Sequence, residues 1–160
     1  MPRRLIYISV FCSLLLFLIQ PVSVAQSAAS APLVGSWNFR AKPNSPTATI
    51  AVSGLLTFTS DGTVIETDTS EAALGATPAH GIWQPGPVPG HWFVRFSSLR
   101  PNANGSLRSR RIVTLSITVN STGDEFSGGF SFEVVDPTGH ILTTGTGTIV
   151  GQLMPHPALP

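Results

Sequence analysis

The chain has 160 residues, with nine Lys and Arg, eight Asp and Glu, four His and one Cys. A charge balance this even leaves no basic excess to neutralise nucleic-acid phosphates. A single cysteine excludes an internal disulfide framework.

Residues 1–25 read as a cleaved secretory signal peptide. "MPRR" supplies the basic start, "LIYISVFCSLLLFLI" is an apolar run of 15 residues, and Ser23 and Ala25 occupy the −3 and −1 places of a cleavage site. The run is shorter than the roughly 20 residues that a membrane helix needs, so no stable membrane span is expected after cleavage. Cleavage removes Arg3, Arg4 and Cys12, leaving a near-neutral, thiol-free chain whose core alone must hold it together. The expected location is secreted or periplasmic. "QSAASAP", residues 26–32, reads as a flexible spacer, residues 33–153 as one domain, and residues 154–160 as a Pro-rich disordered tail.

The domain is rich in Gly, Thr, Ser, Val and Phe and poor in charge, which favours an all-β fold. The pattern predicts strands near 34–42, 50–60, 63–69, 79–84, 91–99, 107–120, 125–136 and 140–152. "EAALGA", residues 71–76, is the sole helix-like piece. Turn residues separate the strands: Asp61-Gly62 in "TSDGT", the prolines of "QPGPVPG", Asn-Gly in "RPNANGS", Gly123 in "NSTGDE" and Asp136-Pro137 in "DPTGH". Each link joins neighbours in the chain, so the strands should form an up-and-down meander.

Alternation assigns the faces. Val113, Leu115, Ile117 and Val119 share one face of the sixth strand; Phe126, Phe130, Phe132 and Val134 share one face of the seventh. No helix is available to cover those faces, so the sheet must close or meet a second sheet. The expectation is an eight-stranded antiparallel up-and-down β-barrel, with a two-sheet β-sandwich as the alternative.

Few residues carry chemistry. Glu66 and Asp68 are two apart on one strand, in phase with Val64, and His80 and His91 open the next two strands. If neighbouring strands bring them to one rim, Glu66, His80 and His91 are candidate acid/base groups. The H-x-H or H-E-x-x-H spacing that specifies a metal is missing, so neither metal nor cofactor is expected. Trp83, Trp92, Phe58, Phe96, Phe130 and Phe132, with Phe93 beside them, are candidates for lining a ligand cavity. The arginines of "RSRR", residues 108–111, read as a solvated strand edge. Gly128, Gly129, Gly145 and Gly147 read as bends in a curved sheet.

"LVGSW" places Gly35 two residues before Trp37 at the start of the first strand, and this Gly-x-Trp resembles the lipocalin and wider calycin pattern. That resemblance implies a tryptophan closing the barrel floor, with apolar ligands entering at the other end. The order "LVGSW", "GLLTFTSDGTVIET", "HGIW", "GHWFV", "DEFSGGFSFEVVDPTG" and "GTGTIVG" is similar to small exported bacterial proteins of lipocalin-like or allene-oxide-cyclase-like type. The catalytic residues of such cyclases match no position here, so the resemblance implies a barrel and no particular reaction. The expected function is binding of a small apolar or amphipathic molecule in the lumen. The alternatives are a barrel cyclase or isomerase acting on a small hydrophobic substrate, and a non-catalytic envelope interaction module. Oligomeric state is not encoded in any pattern seen here.

Overall fold

The computed structural model describes residues 33–45 and 51–155. The leader at 1–25, the spacer at 26–32 and the last five residues of the tail lie outside the described residues. Eight strands follow in chain order: β1 (Gly35–Pro43), β2 (Val52–Phe58), β3 (Thr63–Asp68), β4 (Ala79–Pro85), β5 (His91–Pro101), β6 (Leu107–Val119), β7 (Glu125–Val135) and β8 (Ile141–Leu153). A single short helix, α1 (Ser70–Leu74), lies between β3 and β4. The predicted strands agree with these within two residues at either end.

Each strand pairs antiparallel with the next, and β1 pairs antiparallel with β8 through Trp37↔Leu153, Phe39↔Gly151 and Ala41↔Ile149. That last ladder decides between barrel and sandwich: the sheet closes on itself and leaves no open edge. Alternation drives the closure. In β6, Val113, Leu115, Ile117 and Val119 are buried while Thr114, Ser116 and Thr118 face solvent. One apolar face per strand, repeated round eight strands, is hidden here inside a ring.

Meander order sorts the connections onto two ends. The tight turns β2–β3, β4–β5 and β6–β7 gather at one end with the start of β1 and the end of β8. The other end carries the β1–β2, β3–β4, β5–β6 and β7–β8 connections, and α1 with them. The first end is the floor. Trp37 is 0% exposed there, and its Nε1–H donates to the Leu33 carbonyl at 2.9 Å. Its ring tilts against Phe126 at 5.2 Å, while Trp83 meets Trp92 at 5.2 Å and Phe58 at 6.3 Å, edge to face. The Trp83 Nε1–H donates to the Thr59 carbonyl at 3.1 Å, so burial leaves that donor satisfied. Gly35 precedes Trp37 at φ +143°, where an added Cβ would lie 2.9 Å from Leu153 Cδ1; the position suits glycine on both counts. The chain beyond β8 is tied down briefly, since the Met154 N–H donates to the Ser36 carbonyl at 2.8 Å.

The glycines of β8 act differently from bends. Gly145, Gly147 and Gly151 face Phe132, Phe130 and Phe126 of β7 in register. An added Cβ at each would lie 2.4, 2.4 and 2.2 Å from the facing ring. The missing side chains let the three rings lie against the β8 backbone. Phe39 rests on Gly54 of β2 in the same way, with 2.7 Å to an added Cβ. Rings laid against the wall leave the middle of the barrel clear.

Candidate functional site

A cavity of about 240 Å³ occupies the lumen between the aromatic floor and the end that carries α1. Its wall is mostly apolar: Phe39 from β1, Phe96 from β5, Val113 from β6, Phe130 and Phe132 from β7, and Ile149 from β8. Toward the mouth polar groups join the lining, Glu66 and Asp68 from β3, Ser70 from α1, Arg100 from β5 and Arg111 from β6, beside the apolar Val52, Leu74 and Val134.

The polar belt follows from strand phase. Glu66 and Asp68 keep step with Val64 and therefore point inward; Glu66 is only 1% exposed. Arg111 keeps step with Val113 and Leu115, which carries it into the lumen and not to a solvated edge. Strands β4 and β5 separate Arg111 from Glu66, and their inward residues at this level, Ala79 and Ser98, are short and buried. The guanidinium can therefore cross the wall. Its Nη2 lies 2.9 Å from Asp68 Oδ2 and 3.4 Å from Glu66 Oε2, so Asp68 is its principal partner. Nη1 reaches Ser70 Oγ at 3.4 Å.

This arrangement separates the two carboxyls chemically. Burial, and then the adjacent charge of Asp68, push Glu66 up to about 8, against the pull of Arg111. Burial also pushes Asp68 upward, but hydrogen bonds from Ser70 and the Arg111 charge outweigh it and hold that carboxyl below its usual range. The Ser70 N–H and hydroxyl donate to Asp68 Oδ1 at 2.6 and 2.5 Å. The arrangement favours the proton on Glu66 and the negative charge on Asp68. Arg111 balances that charge.

Arg100 has no such balance. Its Nε is buried and has no hydrogen-bond partner among the described residues. Burial, and then repulsion from Arg111 and Arg108, lower its pKa, though a guanidinium remains charged at any ordinary pH.

The structure does not gather Glu66, His80 and His91. Ala79, Gly81 and Trp83 face the lumen, so His80 between them faces solvent. Trp92 and Val94 face inward, so His91 lies on the outer surface, where its Nε2 is 2.9 Å from Ser116 Oγ and its ring meets Phe93 at 4.8 Å. Phe93 is thus an outer residue as well. Among the described residues, no group of three or more His, Cys, Asp or Glu is placed to hold a metal ion. Of the six predicted lining residues, Phe96, Phe130 and Phe132 face the cavity, whereas Phe58, Trp83 and Trp92 belong to the floor cluster beneath it. Sequence reasoning missed Phe39, Arg100 and Arg111, although alternation carried back from Val113 places Arg111 inside.

No protein-family model matches the chain, and neither a curated protein nor a solved structure matches it. The likeness to lipocalin-type proteins therefore rests on architecture: a closed, eight-stranded, antiparallel barrel in meander order.

Proposed function

We propose that this protein is an exported binding barrel that takes a small apolar or amphipathic molecule into its lumen. One observation carries the reading: the closed sheet keeps a cavity of about 240 Å³ under a polar mouth, where side chains of a filled core would meet. That volume lies just under the roughly 300 Å³ at which sites for drug-sized ligands begin, so a small ligand fits best. Burial of apolar surface against Phe39, Phe96, Phe130 and Phe132 supplies affinity, and the polar groups at one end orient the ligand. The apolar leader and its small-residue cleavage site support export to the periplasm or beyond.

Titration of the purified protein with 4-phenylbutanol, followed by amide chemical shifts in NMR, tests the reading. Saturable shifts centred on β1, β6 and β7 are expected, and Val113→Trp or the milder Leu115→Phe should reduce them by filling the lumen. Absence of saturable shifts in the parent protein, or shifts confined to the outer surface, would overturn it.

Glu66 favours a second reading, an isomerase or cyclase acting on a small hydrophobic substrate. A carboxyl at about 8, beside an apolar cavity, is matched to proton transfer near neutral pH. It needs no further catalytic group if the cavity holds its substrate in a reactive shape. Recovery of every bound small molecule chemically unchanged, from both the parent protein and Glu66→Gln, would exclude turnover in favour of simple binding.

A further inference from the structure

We propose that the lumen is specific for a small monocarboxylate with a short apolar body, its acid group held by Arg100 at the mouth and its tail laid toward Phe130 and Phe132. The inference deepens the binding reading above and rests on it.

Two arginines line the cavity, and their surroundings differ. Arg111 spends its donors on Asp68, Ser70 and Glu66. Arg100 has no ion-pair partner within bridging distance among the described residues, and its buried Nε faces no acceptor. A partly buried cation without an anion is costly, and the cost falls when an anion arrives to complete the pair. Arg100 and Arg111 lie on adjacent antiparallel strands, and Arg108 stands close enough for its charge to be felt at Arg100. Asp68 is the carboxylate whose charge opposes them at Arg100.

The nearby carboxyls do not complete Arg100. Asp68 is held by Arg111 and Ser70, Glu66 meets the same Arg111 guanidinium, and Glu71 of α1 accepts from the Asp68 N–H. None of them forms an ion pair with Arg100. The Arg100 guanidinium is left for a ligand, and its planar fork of donors matches a carboxylate in two-point contact. The apolar wall begins directly below. The lining therefore asks for an acid head and an apolar tail in one molecule.

The test compares 4-phenylbutyrate with 4-phenylbutanol, which share a tail and differ in the head. At pH 7 and low salt, the parent protein should bind the acid roughly tenfold or more tightly than the alcohol, as charge-assisted hydrogen bonding implies. Arg100→Gln should erase that preference by weakening the acid far more than the alcohol, and Arg100→Lys should restore part of it. The preference should also shrink in high salt. Equal binding of acid and alcohol by the parent protein overturns the inference while leaving the binding reading intact. An acid preference that persists in Arg100→Gln overturns the role of Arg100. Failure of both compounds to bind overturns the inference and the binding reading together.

Discussion

At the floor of the barrel, three tryptophans and two phenylalanines meet ring against ring, and two of the indole N–H groups find backbone carbonyls. At the mouth, 240 Å³ of space is bordered by two arginines and two carboxyls, with one cation left over. The same eight strands build both ends, and the same alternation points the side chains inward. The floor spends its inward positions on packing, and the mouth spends them on charge and empty volume. A small barrel with a single cysteine can hold that opening because the other end is filled. Packing and open volume are thereby assigned to different layers of one tube.

The sharpest way to break this contrast is Trp37→Ala. Removing a fully buried indole and the packing on Phe126 should cost about 3–5 kcal/mol, measured by urea unfolding, while the folded fraction keeps its affinity for 4-phenylbutanol. A cost below about 1 kcal/mol would deny the floor its anchoring role.

The mouth should declare itself through pH. Glu66 binds its proton more tightly when folded than when unfolded, with values of about 8 and 4.5. Between those limits the folded state holds a proton that the unfolded chain has released, so stability falls as pH rises from 4.5 to 8 and levels off above. At about 1.4 kcal/mol per pKa unit, the fall amounts to a few kcal/mol. The groups that set it are Asp68 on the same strand, Arg111 from β6 and Glu71 from α1. Asp68 works in the opposite sense, since its carboxyl is held below the ordinary 3.8 and its contribution is lost in stronger acid. Glu66→Gln should flatten the slope between pH 5 and 8; an unchanged slope would place its origin elsewhere.

The smallest effect is expected from Trp83→Phe. It keeps most of the ring packing and loses the hydrogen bond to the Thr59 carbonyl, a change of about 0.5–1.5 kcal/mol. Ligand affinity should stay constant, because Trp83 lies below the cavity. A drop in affinity would blur the boundary between floor and mouth.

Much of the fold was legible in the sequence because a meander needs only local information: alternating strands of adequate length and turn residues between neighbours. The lack of a helix to cover the apolar faces called for closure or a second sheet, and the β1–β8 ladder decides for closure. The site was less legible. Alternation in phase with Val64 and Val113 turns Glu66 and Arg111 inward, yet a run such as "RSRR" is ordinarily solvated, and composition outweighed phase. The depth at which an inward residue lies was harder still. Trp83 and Phe96 both face the lumen, but Trp83 lies two residues from the floor end of β4 while Phe96 lies further up β5 opposite Gly81, and that depth can be read only once the turns are sorted onto their two ends. Arg100 was hidden for another reason: its interest lies in lacking a partner, which depends on what seven other strands present to it.

The rings seated on Gly145, Gly147 and Gly151 make the last strand a gauge for the whole tube. Where a β-strand normally lends thickness to a wall, this one is pared to backbone at three places, so the bore is wider than eight ordinary strands would leave it. A methyl at Gly145 has no room behind the Phe132 ring it would meet, and the ring must tip toward the axis; at Gly147 it would also meet the Lys42 carbonyl oxygen at 2.3 Å, which no ring movement relieves. A single base change in the coding of β8 would thus re-bore the tube, narrowing it without touching a single charge at its entrance. Bore width and entrance charge are in this way set by different residues.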